Sequence, residues 1–194
     1  MNEIIKVLPN FKKFNDYINN VKKQTSPIML SGLTDVSKTH FAYSTFFYAE
    51  KPICIITYNE MQAKKILKDL KYFSDNVVYF PKREILAYDY LAESKDIIYD
   101  RINCLNNIYD EKAKVIVTTI EAASQEIISK DSLYNNVFTL KENISIDLED
   151  IKVKLNNLGY ERCDLVEQPS QYSVRGGIID IAISSEKGIR IELR

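Results

Sequence analysis

Alternation of short apolar runs with helical patterns is the feature of this sequence that most restricts its fold. Four apolar runs of five or six residues predict strands, at Pro27–Ser31, Pro52–Thr57, Asn76–Phe80 and Lys114–Thr118. Helical spacing of apolar residues follows each run, over residues 38–49, 59–73, 94–109 and from 119 onward. Strands that are apolar almost throughout and alternate with helices are typical of a parallel sheet covered on both faces. We therefore expect an α/β domain over residues 1–135.

The pattern changes after residue 135. A strand is predicted over Asn136–Lys141, then a short helix over Asp147–Leu158 that Gly159 ends. Strand patterns follow in close succession, at residues 160–167, 171–175, 177–183 and 189–193. This hairpin-like spacing is typical of antiparallel pairing, so we expect residues 136–194 to form a small, mostly antiparallel α+β domain. Because the chain stops directly after a strand pattern, we also expect it to be part of a longer protein.

Composition narrows the functional classes. The 26 basic and 27 acidic residues leave a net charge of −1, whereas a non-specific nucleic-acid binder normally carries a basic excess. No apolar run reaches the roughly 18 residues that a membrane helix needs, and Met1–Asn10 lacks a signal-peptide pattern. We expect a cytoplasmic chain without a membrane partner. The single histidine, His40, has no metal-ligand spacing around it, so neither a metal site nor a catalytic residue is predicted.

One segment has the outline of a phosphate-binding loop. Lys38 and Thr39 stand where such a loop places its phosphate lysine and its magnesium-binding hydroxyl, and Gly32 stands at the first glycine. Ser37 replaces the glycine before the lysine, and Asp35 adds a carboxylate inside a loop meant to hold anions. Two interpretations stay open, a working nucleotide site and a degenerate loop that only connects a strand to a helix. The two departures favour the degenerate loop.

Two arginines stand among strand-forming residues near the end of the chain. Arg175 precedes Gly176 and Gly177, and Arg190 lies alone in the next apolar run. Charged residues are uncommon in strands unless one face of the sheet is wet. The pair could form a cationic docking surface, or the glycines could simply bend the strand while the arginines lie on an ordinary surface. The residues alone favour neither interpretation over the other.

A family resemblance rests on several motifs. They are Gly159-Tyr-Glu-Arg162, Val166-Glu167, Tyr172-Ser-Val-Arg-Gly-Gly-Ile-Ile-Asp180, Arg190-Ile-Glu-Leu193, Phe80-Pro81 with Glu84, Leu86 and Tyr88-Asp89, Arg101 with Leu105, and Val115-Ile-Val-Thr-Thr119. Together they resemble the amino-terminal module of the Mfd family, the bacterial transcription-repair coupling factors. The related excision-repair protein UvrB shares the architecture, but it keeps an intact phosphate-binding loop and lacks the Phe-Pro-x-x-Glu segment. The resemblance to Mfd covers nearly all of the chain.

The resemblance implies a fold and a role. The first part of the chain, residues 1–135, would be a RecA-like domain that has lost its nucleotide site. The second part, residues 136–194, would be a small domain that binds the repair protein UvrA. The ATP- and magnesium-dependent DNA translocase and the RNA-polymerase-binding domain would lie elsewhere in the full-length chain. That protein displaces RNA polymerase stalled at DNA damage and recruits UvrA for nucleotide excision repair, with the UvrA-binding face masked beforehand by its other domains. The fragment itself would be non-catalytic and hold no cofactor.

The UvrA-contact positions of the family carry over to this sequence. They fall on Arg175 and Arg190, and a third position that is usually aromatic falls on Arg194. The family's Pro-Gly-Glu-Phe is Pro169-Ser-Gln-Tyr172 here, which replaces a glycine and a carboxylate. The alternative function is a UvrB-like ATPase fragment that binds nucleotide weakly through residues 32–39.

Overall fold

The computed structural model describes residues 3–83, 94–140 and 147–193. Lys141, Arg194 and the motif positions Glu84, Leu86, Tyr88 and Asp89 lie outside these described residues. The chain forms two compact units, residues 1–82 with 103–125 and residues 83–102 with 126–194. The division at residue 135 comes from the change of strand pattern alone and stays a prediction.

The regular elements follow in chain order. A 3-10 helix at Glu3–Asn10 comes first. The α-helices are α1 (Lys12–Lys22), α2 (Asp35–Ala49), α3 (Glu60–Lys71), α4 (Lys95–Tyr109), α5 (Ile120–Ala123), α6 (Lys130–Asn135) and α7 (Leu148–Asn157). The strands are β1 (Ile53–Thr57), β2 (Val77–Phe80), β3 (Val115–Thr119), β4 (Glu161–Arg162), β5 (Gln171–Arg175), β6 (Ile178–Ser184) and β7 (Lys187–Glu192). None of these helices has the length and apolar character needed to cross a membrane.

The first unit contains a three-stranded parallel sheet in the order β1-β3-β2. Val115 of the central strand pairs with Ile53 on one side and with Val77 on the other. The β3 side chains enter one core with Ala63 and Leu70 of α3, both fully buried. The predicted parallel α/β arrangement is therefore confirmed. Three parallel strands joined by helices occur in many α/β folds, so the RecA-like assignment stays a prediction.

The strand predicted at Pro27–Ser31 is wrong. Residues 25–31 are irregular, and Met29 and Leu30 are 93% and 44% exposed. A short apolar run becomes a strand only when a sheet edge pairs with its backbone, and in the described part of the chain this run pairs with none of the three strands. The loop after it therefore follows an irregular segment, whereas a phosphate-binding loop follows a strand. Helix α2 does form, and the Thr34 side chain caps it by accepting from the Ser37 N–H at 3.4 Å.

The second unit contains a four-stranded sheet in the order β4-β5-β6-β7. Strands β5, β6 and β7 are antiparallel, and β4 is parallel to β5. Tyr172, Ile179 and Ile181 on one face of the sheet form a core with Ile151 and Leu155 of α7. The predicted mostly antiparallel α+β unit is confirmed. Burial of this face leaves the opposite face of the sheet for polar side chains.

Two other predicted strands of this unit differ from the structure. The strand expected at 136–141 is irregular over its described residues 136–140, and the strand expected at 160–167 reduces to residues 161–162. In the second case the chain leaves the sheet after β4 and forms a loop that contains Pro169, which has no N–H to donate to a ladder. The helix prediction is confirmed: Asp147 accepts from the Glu149 N–H at 3.0 Å at its start, and Gly159 adopts φ +81° after its end.

Candidate partner-binding surface

The polar face of the second sheet brings the two predicted arginines together. Ser173 of β5 pairs with Asp180 of β6, and Asp180 pairs with Arg190 of β7. Paired residues share a face, and so do residues two apart along one strand. Arg175, two residues from Ser173, therefore lies on the same face as Asp180 and Arg190. Three charged residues from three adjacent strands form one cluster, which we call the arginine face.

Asp180 binds both arginines. Nε of Arg190 donates to Oδ1 of Asp180 at 2.6 Å, and Nη2 of Arg190 donates to Oδ2 at 3.0 Å. Nη2 of Arg175 donates to the same Oδ2 at 3.0 Å. The side chains of Arg175 and Arg190 are 60% and 59% exposed, against 18% for Asp180. The carboxylate is thus largely covered, while both guanidinium groups still face solvent.

The charges of this cluster stabilise one another. The Arg190 hydrogen bond, followed by the Arg175 hydrogen bond and the attraction of both cations, holds the pKa of Asp180 below its ordinary value. Asp180 in turn raises the pKa of Arg190. With two guanidinium groups and one carboxylate, the cluster carries one net positive charge at neutral pH.

Further carboxylates lie on the same face of the sheet as the cluster. Glu192 of β7 pairs with Ile178, which pairs with Arg175, and its charge contributes to the raised pKa of Arg190. Glu161 of β4 lies on the same face, because it pairs with Gln171. A surface of mixed charge is poorly suited to a nucleic-acid backbone, which favours clustered cations. The arginine face is better suited to a protein partner that presents its own carboxylates.

The two glycines form the turn between β5 and β6. Gly176 adopts φ +60°, a conformation that glycine reaches without strain. At Gly177 an added Cβ would lie 2.9 Å from the carbonyl oxygen of Leu193, and the Leu193 N–H donates to the Gly177 carbonyl at 2.8 Å. The glycines therefore allow the backbone to turn and to approach Leu193 closely, as the strand-bend interpretation predicts. Arg175 nevertheless projects into the arginine face, so the two readings are compatible.

The loop before β5 is held in place by Gln171. Its side-chain oxygen accepts from the N–H groups of Glu167 and Gln168, both at 3.0 Å. Ser170, which stands where the family has glycine, adopts φ +63° and donates its N–H to the Ala182 carbonyl at 2.9 Å. The family's carboxylate at position 171 could accept the same two bonds. The turn therefore stays ordered although residues 170 and 171 differ from the family pattern.

A groove runs beside the arginine face. Its volume is about 560 Å³, and Asp180 and Arg190 lie on its lining with Pro169, Ala182 and Gly188. Gly188 has no side chain, and a Cβ there would lie 3.3 Å from the carbonyl oxygen of Ile181. Small residues on β6 and β7 leave this groove open next to the cations.

The loop that resembles a phosphate cradle contains its own anion. Nζ of Lys38 lies 3.3 Å from Oδ1 of Asp35, and Nζ of Lys65 lies 3.5 Å from Oδ2. The hydrogen bond from Lys38, followed by that from Lys65, lowers the pKa of Asp35. The lysine that would bind phosphate is therefore paired with a carboxylate three residues away. An incoming phosphate would compete with Asp35 for Lys38 and would be repelled by it.

Two other residues of this loop, Gly32 and Thr39, match a phosphate-binding loop in part. Gly32 adopts φ +82°, as a glycine in a tight turn can. Thr39 is 3% exposed, and its hydroxyl oxygen has no hydrogen-bond partner in the described part of the chain. Nearby, His40 contacts the Ile4 carbonyl through Nε2 at 3.0 Å and stacks on Phe73 at 6.0 Å between ring centroids. His40 thus serves packing within the first unit.

Comparison with known proteins found relatives of this chain. Residues 138–194, which include all four strands of the second unit's sheet, match the model of the UvrB interaction domain family. The chain is 27% identical over 183 residues to the transcription-repair-coupling factor of Bacillus subtilis strain 168, covering 93% of this chain and 16% of the relative. The chain is similar to the transcription-repair-coupling factors over most of its length. The resemblance to the Mfd family is confirmed.

Two further relatives carry the same description. The transcription-repair-coupling factor of Staphylococcus aureus strain bovine RF122 is 28% identical over 167 residues, covering 85% of this chain and 14% of the relative. The transcription-repair-coupling factor of Staphylococcus haemolyticus strain JCSC1435 is 26% identical over 189 residues, covering 92% of this chain and 16% of the relative. The chain therefore spans about one-sixth of the length of the curated relatives it matches.

Proposed function

We propose that this chain is a non-catalytic recruitment module that binds UvrA during transcription-coupled repair. The observation that carries the proposal is the joint exposure of Arg175 and Arg190 on one sheet face, inside the segment that matches the UvrB interaction domain. Acidic groups of UvrA would be the partners of the two arginines.

The hydrogen-bonding capacity of the arginines supports this proposal. A guanidinium group has five N–H donors. Arg175 uses one of them on Asp180 and Arg190 uses two, and within the described ranges no other acceptor takes the rest. Each side chain therefore keeps a free edge of at least two N–H groups, which is what a bidentate bond to a carboxylate requires.

The remaining activity of the family belongs, in this proposal, to other parts of the full-length protein. The ATP- and magnesium-dependent translocation along DNA and the displacement of stalled RNA polymerase would use segments beyond this chain. Its arginine face would be masked by those segments until they move, and the protein would act in the cytoplasm. The module itself needs no cofactor.

Titration of purified UvrA with this chain tests the proposal. The matched control is Arg162→Ala, because Arg162 is an exposed arginine of the same sheet that pairs with Tyr172 and so lies on the opposite face. We expect the double variant Arg175→Ala with Arg190→Ala to weaken binding by at least about thirtyfold, the usual effect of removing a central interface arginine. We expect Arg162→Ala to bind as the wild type does. Equal affinity of the double variant and the wild type would refute the assignment.

The alternative, nucleotide binding at residues 32–39, has one observation in its favour. The buried Thr39 hydroxyl has no hydrogen-bond partner among the described residues, as a group that binds a ligand would. The pairing of Lys38 with Asp35 opposes it, because the phosphate lysine already has an anion. We therefore retain UvrA binding as the conclusion.

A further inference from the structure

We propose that Asp180 is a positioning residue for partner binding. It holds the guanidinium groups of Arg175 and Arg190 side by side, so that their free edges are offered together to one acidic surface. This inference rests on the proposed function and names a residue of the same site that the family comparison does not assign.

The geometry suits that role. Asp180 lies on β6, the strand between the strands that carry the two arginines, and both of its oxygens accept. Its short side chain is largely covered, whereas each arginine is more than half exposed. A short side chain anchored in a central strand has few rotamers, so it can restrain two long side chains whose own rotamers are many.

Two opposing effects decide what Asp180 does for affinity. Its charge weakens the attraction of the arginine face for an acidic partner. Its hydrogen bonds also order two long side chains before the partner arrives, which removes an ordering cost from the binding step. Asp180 is largely covered and contacts both cations, so a partner carboxylate would meet the exposed guanidinium groups first. Positioning should therefore outweigh the lost attraction.

Asp180→Asn and Glu192→Gln separate the two effects. Each variant removes one negative charge from the same sheet face, but the arginines hydrogen-bond to Asp180 and not to Glu192. In UvrA titrations at physiological salt, we expect Asp180→Asn to bind about tenfold more weakly, although it makes the face more positive. We expect Glu192→Gln to stay within about twofold of the wild type or to bind slightly more tightly.

A double-mutant cycle shows whether Asp180 acts through the arginines. In a chain that already carries Arg175→Ala and Arg190→Ala, we expect Asp180→Asn to change UvrA affinity by less than about twofold. A general structural role would instead weaken binding in both backgrounds. Asp180→Glu serves as a second variant if the asparagine variant does not fold. It keeps the charge and displaces the carboxylate, so we expect it to weaken binding too.

The outcomes distinguish the inference from the function on which it rests. If the wild-type chain does not bind UvrA, the proposed function fails and the inference fails with it. If the wild type binds and both Asp180→Asn and Asp180→Glu bind as tightly or more tightly, Asp180 only screens charge and the inference alone is overturned. If Asp180→Asn binds more weakly, Glu192→Gln does not, and the cycle shows no additive loss, the positioning role is established.

Discussion

Asp96 and Ser185 are 89 residues apart in sequence, yet the Asp96 carboxylate accepts two hydrogen bonds from Ser185. The Ser185 N–H donates to Oδ1 at 2.8 Å, and the Ser185 hydroxyl donates to Oδ2. Two residues further along, Nζ of Lys187 lies 3.3 Å from the Tyr99 hydroxyl and 5.6 Å from the centre of its ring. The turn between β6 and β7 is thereby attached to the first turns of α4 within the second unit.

We expect Asp96→Ala to lower the melting temperature of the chain by about 2–4 °C at pH 7, because the Ser185 N–H and hydroxyl both lose their acceptor. Ser185→Ala removes one of the two bonds and should have a smaller effect. Asp164→Ala, at an exposed loop position, serves as the control. If Asp164→Ala lowered the melting temperature as much as Asp96→Ala does, this account would be contradicted.

The Asp96 contact also predicts a dependence on pH. The Ser185 side-chain hydrogen bond, followed by its backbone hydrogen bond, lowers the pKa of Asp96 from the ordinary 3.8. A carboxyl whose pKa is lower in the folded state stabilises the fold above its unfolded pKa, and this contribution disappears as pH falls through the folded pKa. The difference in melting temperature between wild type and Asp96→Ala should therefore persist from pH 7 to about pH 5 and shrink below pH 3.8. Thermal unfolding monitored by circular dichroism measures it.

Gly177→Ala should destabilise the second unit more than Gly176→Ala does. At 177 the new Cβ would lie 2.9 Å from the backbone oxygen of Leu193, so the backbone just after β7 would have to shift, at a cost of about 1–3 kcal/mol. At 176 the methyl group has no atom within 4 Å. Only the left-handed backbone conformation would lower the free energy of unfolding there, by about 1–2 kcal/mol. Urea unfolding of both variants measures the difference in free energy. The reverse order would show that Leu193 does not approach Gly177 as described.

Gln171→Ala should loosen the loop that borders the groove. The N–H groups of Glu167 and Gln168 lose their acceptor, so we expect their hydrogen exchange to accelerate about tenfold. Both residues are exposed, so the free energy of unfolding should change by less than about 0.5 kcal/mol. Gln171→Glu retains an acceptor oxygen and is the matched control. Equally fast exchange in both variants would mean that the side-chain oxygen does not hold the loop.

Calorimetry with ATP and magnesium should show no binding in the micromolar range. The physical reason is the carboxylate of Asp35, which pairs with Lys38 and would repel a phosphate. The variant Asp35→Asn with Ser37→Gly removes both obstacles, so any increase in affinity should appear there first. Micromolar affinity in the wild type that Lys38→Ala abolishes would overturn the degenerate-loop prediction.

Local patterns were sufficient for much of the fold. The predicted helix over residues 59–73 forms as α3, where Asn59 accepts from the Gln62 N–H at 2.8 Å at its start and Ala63 and Leu70 are buried at helical spacing. The strands at 53–57, 77–80 and 115–119 were identified from their apolar runs. Helix α1 was missed, although Phe14 and Ile18 lie four residues apart and are both buried. That spacing was available in the sequence as a signal.

Other elements could not be predicted, because their state depends on distant chain segments. The run Pro27–Ser31 has strand composition, but no sheet edge pairs with it and it stays irregular. Asp180 was recognised only as part of a motif. Its pairing with Arg190 follows from the register of β6 against β7, which depends on the turn at 185–186 and on the face that packs against α7.

The sequence by itself determined the alternation of helices and strands, the exposed arginines and the family to which they point, because these depend on residue type and on spacing of a few positions. Only the tertiary structure decided what the arginines contact. Arg175, Asp180 and Arg190 meet because three antiparallel strands place one residue of each on the same face. Sheet pairing joins residues through the backbone ladder across the chain, so the shared carboxylate becomes visible only when the register is known.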